Sequence, residues 1–75
     1  MGIPKVQAKA LGHAVKTRRE ALDLSQEELS ERAGVHRAYV GLLERGQTNA
    51  TLDYLVRVAK ALDTSLGDLF KDAGV

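Results

Sequence analysis

The sequence predicts an all-α protein of five helices in a single domain, residues 1–75, and three observations predict it. Apolar residues recur three and four apart, as in Leu55, Val58, Ala59 and Leu62, which is the period of one helical face. Residue types that start and stop helices punctuate this pattern, with Pro4, Ser25, Thr51 and Ser65 as openers and Gly34 and Gly46 as closers. The chain has 75 residues and no internal repeat, low-complexity block or linker, so its helices must pack tightly or two copies must associate.

Residues 1–4 read as a lead-in, and Pro4 suits the first turn of a helix reaching about Leu22, where its missing N–H costs no helix bond. Leu11, Ala14, Val15, Arg18 and Leu22 share a face of that helix. Periodicity alone therefore turns Arg18 inward, its methylene stem along the core and its head reaching out. Leu24 returns to the core after that helix. A second helix over 26–33 opens with Ser25 and Glu28, an S-x-x-E pair that satisfies two orphan amide donors. Leu29, Ala33 and Val35, then Val40 and Leu43, face inward, and Ser30 is small where two helices must approach. Gly34 supplies the positive φ of the bend into a third helix, 36–44, closed by Gly46. Thr51 caps a fourth helix to about Leu62, with Asp53 in its first turn and Leu52, Leu55, Val58, Ala59 and Leu62 inward. Tyr54 and Val56 flank that stripe, and Asp53, Arg57 and Lys60 oppose it. Ser65 with Asp68 opens a short fifth helix carrying Leu66, Leu69 and Phe70, followed by a loose tail, KDAGV.

Composition excludes several classes of function. The chain has no cysteine, which removes disulfides and thiolate metal sites and fits a reducing cytoplasm. His13 and His36 lie far apart in sequence, so no metal site and no cofactor are expected. No apolar run approaches a membrane span, and the amino terminus lacks the core of a signal peptide, so no membrane partner is expected. Asn49-Ala50-Thr51 matches a glycosylation sequon by chance. No nucleophile motif, P-loop or dinucleotide fingerprint occurs, and enzymatic activity is not expected. The formal net charge is only +1, yet it is segregated: Lys5, Lys9, Lys16, Arg18 and Arg19 precede any acid, and Glu20, Asp23, Glu27, Glu28 and Glu31 then crowd together. Local potential of this kind steers an anionic partner even when the total is small.

Two short helices joined by a glycine bend, residues 25–46, make a unit whose second helix can lie in a DNA groove. LSQEELSERAGVHRAYVGLLERG resembles the helix-turn-helix core of the phage-repressor (Cro/C1, or Xre) family of bacterial transcriptional regulators. The likeness extends through VKTRREALDL before it and TNATLDYLVRVAKALDTSLGDLF after it, about 11–70, with the helix-turn-helix at 26–45. It implies a compact five-helix lambda-repressor-like DNA-binding domain. It also implies that Arg19, rather than Arg18, makes a largely buried ion pair with Glu44. The chain departs from the pattern at Asp23, where relatives have glycine, at His36, where they have a serine cap, and at Ala50, where proline is common.

Side chains of the third helix that leave the core are then free to meet base edges: His36, Arg37, Ala38, Gly41 and Leu42. Arg37 carries the fork of donors that matches guanine O6 and N7, worth about 1–3 kcal/mol of discrimination; the alternative is contact with phosphate or solvent alone. Ala38 either packs on a thymine methyl or is merely small, and Gly41 either brings backbone close to DNA or leaves room for a neighbour. Gln26 suits phosphate contact at a helix amino terminus, and Tyr39, Arg45, Thr48, Asn49 and Thr51 suit backbone contacts at the other edge.

So small a domain needs two copies for specific binding, and the expected partners are double-stranded DNA with a near-palindromic operator and a second copy in a homodimer. Leu66, Leu69, Phe70 and Val75 are the candidate dimer surface, the alternative being that they close the core. RNA polymerase is a further candidate partner through Glu27, Glu28 and Glu31, solvated charge being the alternative. Localisation is expected to be cytoplasmic in a bacterium, on the nucleoid when bound. The competing class of function is a protein–protein interaction module of the same fold that does not bind DNA.

Overall fold

A computed structural model describes residues 4–48 and 51–75. They form α1 Lys5–Ala21, α2 Gln26–Ala33, α3 Arg37–Glu44, α4 Leu52–Ala61 and α5 Leu66–Ala73. Among the described residues there is no strand. α1 packs on α3 and α5, α2 on α3 and α4, and α4 on α5. Three of these helices have only 8 residues and would not be stable alone, so packing must hold them. Leu11 and Val15 from α1, Leu29 from α2, Val40 and Leu43 from α3, Leu55 and Val58 from α4 and Leu69 from α5 meet in one buried cluster. Burying one such side chain contributes about 1.5–3 kcal/mol.

Local sequence sets the ends. At α2 the Glu28 N–H donates to Ser25 Oγ at 3.0 Å while the Ser25 N–H donates to Glu28 Oε1 at 2.8 Å, a complete capping box. Thr51 Oγ1 and Ser65 Oγ accept from the amides of Tyr54 and Asp68 in the same way. All helices stop alike, with a left-handed residue at Asp23, Gly34, Gly46, Asp63 or Gly74 and the next N–H bonded five residues back. Asp23 and Asp63 adopt φ of 56° and 57°, a strain that aspartate bears less easily than glycine.

Four expectations are corrected. Leu22 is 40% exposed, because α1 ends at Ala21 and the left-handed turn at Asp23 brings Leu24 onto the core instead. Leu52 is 66% exposed: it is the first residue of α4, and its side chain leans toward the helix amino terminus, past the packed part. Arg18 does not point inward; it pairs with Asp72 across the seam between α1 and α5. The tail is helical through Ala73, closed by Gly74, and Asp72 and the half-buried Ala73 fasten it to the body.

One close approach has no counterpart in the sequence reading. A Cβ at Gly12 would lie 2.3 Å from the Leu43 carbonyl oxygen and 2.6 Å from that of Glu44. Only hydrogen lets α1 cross the carboxyl end of α3 at this distance. α1 therefore backs the helix whose other side is exposed.

Candidate nucleic-acid interface

Each part of the α2–turn–α3 unit is tied to another. Gly34 takes φ 69° and ψ 35°, and a Cβ there would meet nothing within 4 Å, so conformation rather than space demands glycine. Ser30, fully buried, donates its hydroxyl to the Gln26 carbonyl at 2.8 Å and lies 3.4 Å from the Arg37 carbonyl, at the junction of α2 and α3. Arg57 of α4 reaches the Gly34 carbonyl at 3.3 Å and also pairs with Asp53.

The carboxyl end of α3 is fixed by a nearly buried ion pair. Arg19 donates through Nε to Glu44 Oε2 at 2.7 Å and through Nη2 to Oε1 at 3.0 Å, a two-pronged contact. Its Nη1 donates to the Leu24 carbonyl at 2.8 Å, and Gln26 Nε2 donates to Glu44 Oε1 at 3.0 Å. The side chains of Arg19 and Glu44 are 11% and 4% exposed, and hydrogen bonding to Glu44 raises the Arg19 pKa above its ordinary value. One carboxylate thus joins α3 to α1 and to the start of α2. Such a pair adds little net stability over apolar packing but is costly to break from one side.

What remains outside is the face available to a ligand. His36, Arg37 and Ala38 are exposed at the start of α3, and Arg45 is exposed at its end. Arg37 projects into solvent with its side chain 76% exposed, only 4.0 Å from Glu27, a contact at the limit of an ion pair. His36 does cap α3: its Nδ1 accepts from the Ala38 N–H at 3.1 Å, which requires the unprotonated nitrogen. Leu42 is half-buried and stands apart from the apolar cluster, and Thr48 is half-buried. Thr51 is exposed, with its oxygen accepting the cap bond of α4. Asn49 lies outside the described residues.

Other candidates are placed differently from the sequence reading. Gly41 is buried, because Gln26 Oε1 and Arg45 Nη1 close over it, each 3.4 Å from where a Cβ would sit. Of the two alternatives for this glycine, the packing is that of room left for neighbours. Gln26 is exposed at the start of α2, but one donor of its amide is committed to Glu44. Tyr39 is half-buried: among the described residues its hydroxyl oxygen is buried and has no hydrogen-bond partner, and the ring meets Tyr54 edge-on at 4.8 Å. Burial pushes its phenol pKa up. Leu69 is fully buried and so belongs to the core, whereas Leu66 and Phe70 are half-buried and Val75 is 51% exposed. Glu28 is held in the capping box, its pKa lowered by the Ser25 N–H, which leaves Glu27 and Glu31 as the exposed acids free of that role.

Several relatives share this arrangement. The helix-turn-helix family model HTH_3 matches residues 15–69. Control protein C.SmaI of Serratia marcescens is 43% identical over 65 residues, 87% of this chain and 77% of that protein. Two further relatives are longer, and the chain spans 46% and 57% of them. The crystal structure of the restriction-modification controller protein C.AhdI from Aeromonas hydrophila superimposes with a TM-score of 0.79 at 40% identity, covering 84% of this chain and 94% of that one. The regulator SinR, solved in complex with DNA, superimposes with a TM-score of 0.74 at 37% identity, covering 79% and 95%. These relatives are regulators and controllers, not enzymes.

Proposed function

The chain belongs to the Cro/C1-type helix-turn-helix family of DNA-binding transcriptional regulators, and from that membership we propose that it acts as a repressor or controller on a near-palindromic operator. The observation that carries this reading is the division of α3: Val40 and Leu43 are buried and Glu44 is clamped, while His36, Arg37 and Ala38 face solvent. A helix anchored on one side and open on the other can enter a major groove without repacking. Arg37 reads a guanine edge through its guanidinium fork. Gln26 and the unpaired amides of the first turn of α2 position the helix on phosphate, and Arg45, Thr48 and Thr51 do so at the far edge.

Two copies bind together, their recognition helices about 34 Å apart along one turn of DNA. Leu66, Phe70 and Val75 form the pairing surface, with Leu69 supporting them from the core. Sedimentation at about tens of micromolar then shows a dimer with DNA, and a monomer throughout would refute that assembly. Selection of bound sequences from random duplexes at physiological salt tests the whole reading. The expected outcome is one enriched motif with twofold symmetry; no enrichment would exclude sequence-specific binding.

A further inference from the structure

An open concavity of about 570 Å³ lies where the start of α1 meets the chain that leaves α3. Lys5 and Lys9 line one side; Arg45, Gly46, Gln47 and Thr48 line the other. Its wall is fixed by contact, since a Cβ on Gly46 would lie 2.8 Å from Lys9 Cγ and 2.9 Å from the Lys9 backbone nitrogen. Three cations therefore surround the space without any acid among its lining residues. The acid next to Arg45 in sequence, Glu44, is turned inward onto Arg19. Among the described residues no carboxylate pairs with Lys5, Lys9 or Arg45, in contrast to Arg18, Arg19, Arg37 and Arg57. Arg45 instead donates through Nε to Gln47 Oε1 at 2.9 Å, which orients its guanidinium, and among the described residues its terminal nitrogens make no hydrogen bond.

The concavity continues the exposed side of α3. Arg45 caps the carboxyl end of α3, eight residues after Arg37, and is exposed as Arg37 is. A duplex seated on Arg37 and Ala38 would carry its backbone past the end of α3 toward Lys9 and Lys5. Those lysines also precede residue 15, where the family-wide segment begins.

We propose that Lys5, Lys9 and Arg45 form a clamp for the phosphodiester backbone that flanks the bases reached by α3, a site belonging to this chain's extended first helix. The proposal rests on the DNA-binding reading above. The lysines act as point charges and Arg45 as a fork, so the clamp adds affinity and orientation but carries no sequence information. The amide of Gln47 and the hydroxyl of Thr48 supply neutral donors beside them.

The test compares the full chain with Lys5→Gln/Lys9→Gln on the selected operator in a long duplex, and on the same operator trimmed of its flanks, over a range of salt. On the long duplex the slope of log affinity against log salt falls by about 2 in the variant, at about 0.9 per phosphate neutralised. Sequence preference is unchanged, and on the trimmed duplex the two proteins have equal slopes. Lys5→Arg/Lys9→Arg keeps the wild-type slope, and so does Lys60→Gln/Lys71→Gln, which removes the same charge elsewhere. An unchanged slope on the long duplex overturns the clamp, as does an equal fall with Lys60→Gln/Lys71→Gln. Saturable binding of inorganic phosphate by these lysines, with no effect of duplex length, also overturns it in favour of a small-anion site. If wild-type protein selects no operator at all, the broader reading has failed, and that result is obtained before any variant is made.

Discussion

Arg19 is the residue on which the placement of α3 turns. Its guanidinium meets two carboxylate oxygens and one carbonyl, and removing it takes the cation away from a Glu44 side chain that is only 4% exposed in the pair. Arg19→Ala should cost about 3–5 kcal/mol in urea unfolding, whereas Arg19→Met with Glu44→Leu should cost far less, since no buried charge remains. Equal losses for the two variants would show that packing, not the unpaired charge, sets the cost. Tyr39 gives the opposite case. Its hydroxyl is buried without a partner among the described residues, so Tyr39→Phe should leave stability unchanged or raise it by about 1 kcal/mol, and should leave DNA affinity unchanged. A loss of affinity would mean that the ring swings out to phosphate on binding.

Among the elements, α1 and α2 carry the sharpest consequences. Gly12 is the point at which α1 crosses the last carbonyls of α3, and backbone atoms cannot step aside as a flexible side chain can. Gly12→Ala should therefore destabilise the domain by about 1–3 kcal/mol in thermal or urea melts, although alanine is the better helix former. A gain in stability would contradict the crossing. The start of α2 predicts a pH dependence. The Ser25 N–H holds the Glu28 carboxyl below its ordinary value, so the capping box contributes most above the ordinary glutamate range of about 4.3. That contribution is lost as pH falls from there through the depressed folded-state value. Glu28→Gln keeps an acceptor but not the charge, and its melting temperature should fall less than that of wild type between about pH 6 and pH 3.

Elements were legible in the chain wherever their cause is local. Ser25 with Glu28, Thr51 and Ser65 place three helix starts within a residue, because a cap is a matter of a few neighbouring atoms. Gly34 was legible for the same reason. Arg18 and Arg19 were separated by the family resemblance and not by periodicity, since adjacent residues differ by only about 100° around a helix and both skirt the apolar stripe. Gly12 was not legible at all, because nothing in α1 says which helix crosses it. The burial of Gly41 and of the Tyr39 hydroxyl likewise depends on side chains from other helices, Gln26 and Tyr54.

At the scale of the whole molecule, α3 is divided between an anchored inward side and a solvent-facing outward side, the side we propose reads DNA. The inward side is held by α1, α2 and the apolar cluster, and its chemistry is complete without a ligand. The outward side keeps an arginine, a histidine cap and a small residue in solvent, and a basic concavity extends it toward the start of α1. A formal net charge of +1 is thus no obstacle to binding a polyanion, because the acids are spent on caps, on Arg18 and Arg19, and on the face of α2.

The most direct test of that division is the affinity of Arg37→Ala for the selected operator and for unrelated duplex, measured side by side at physiological salt. A lost base contact predicts a fall of about 1–3 kcal/mol on the operator, a much smaller one on unrelated DNA, and relaxed preference at a single base pair in each half-site. Equal losses on both duplexes would make Arg37 a phosphate contact. Unchanged affinity for both would contradict the placement of the exposed side of α3 in the groove.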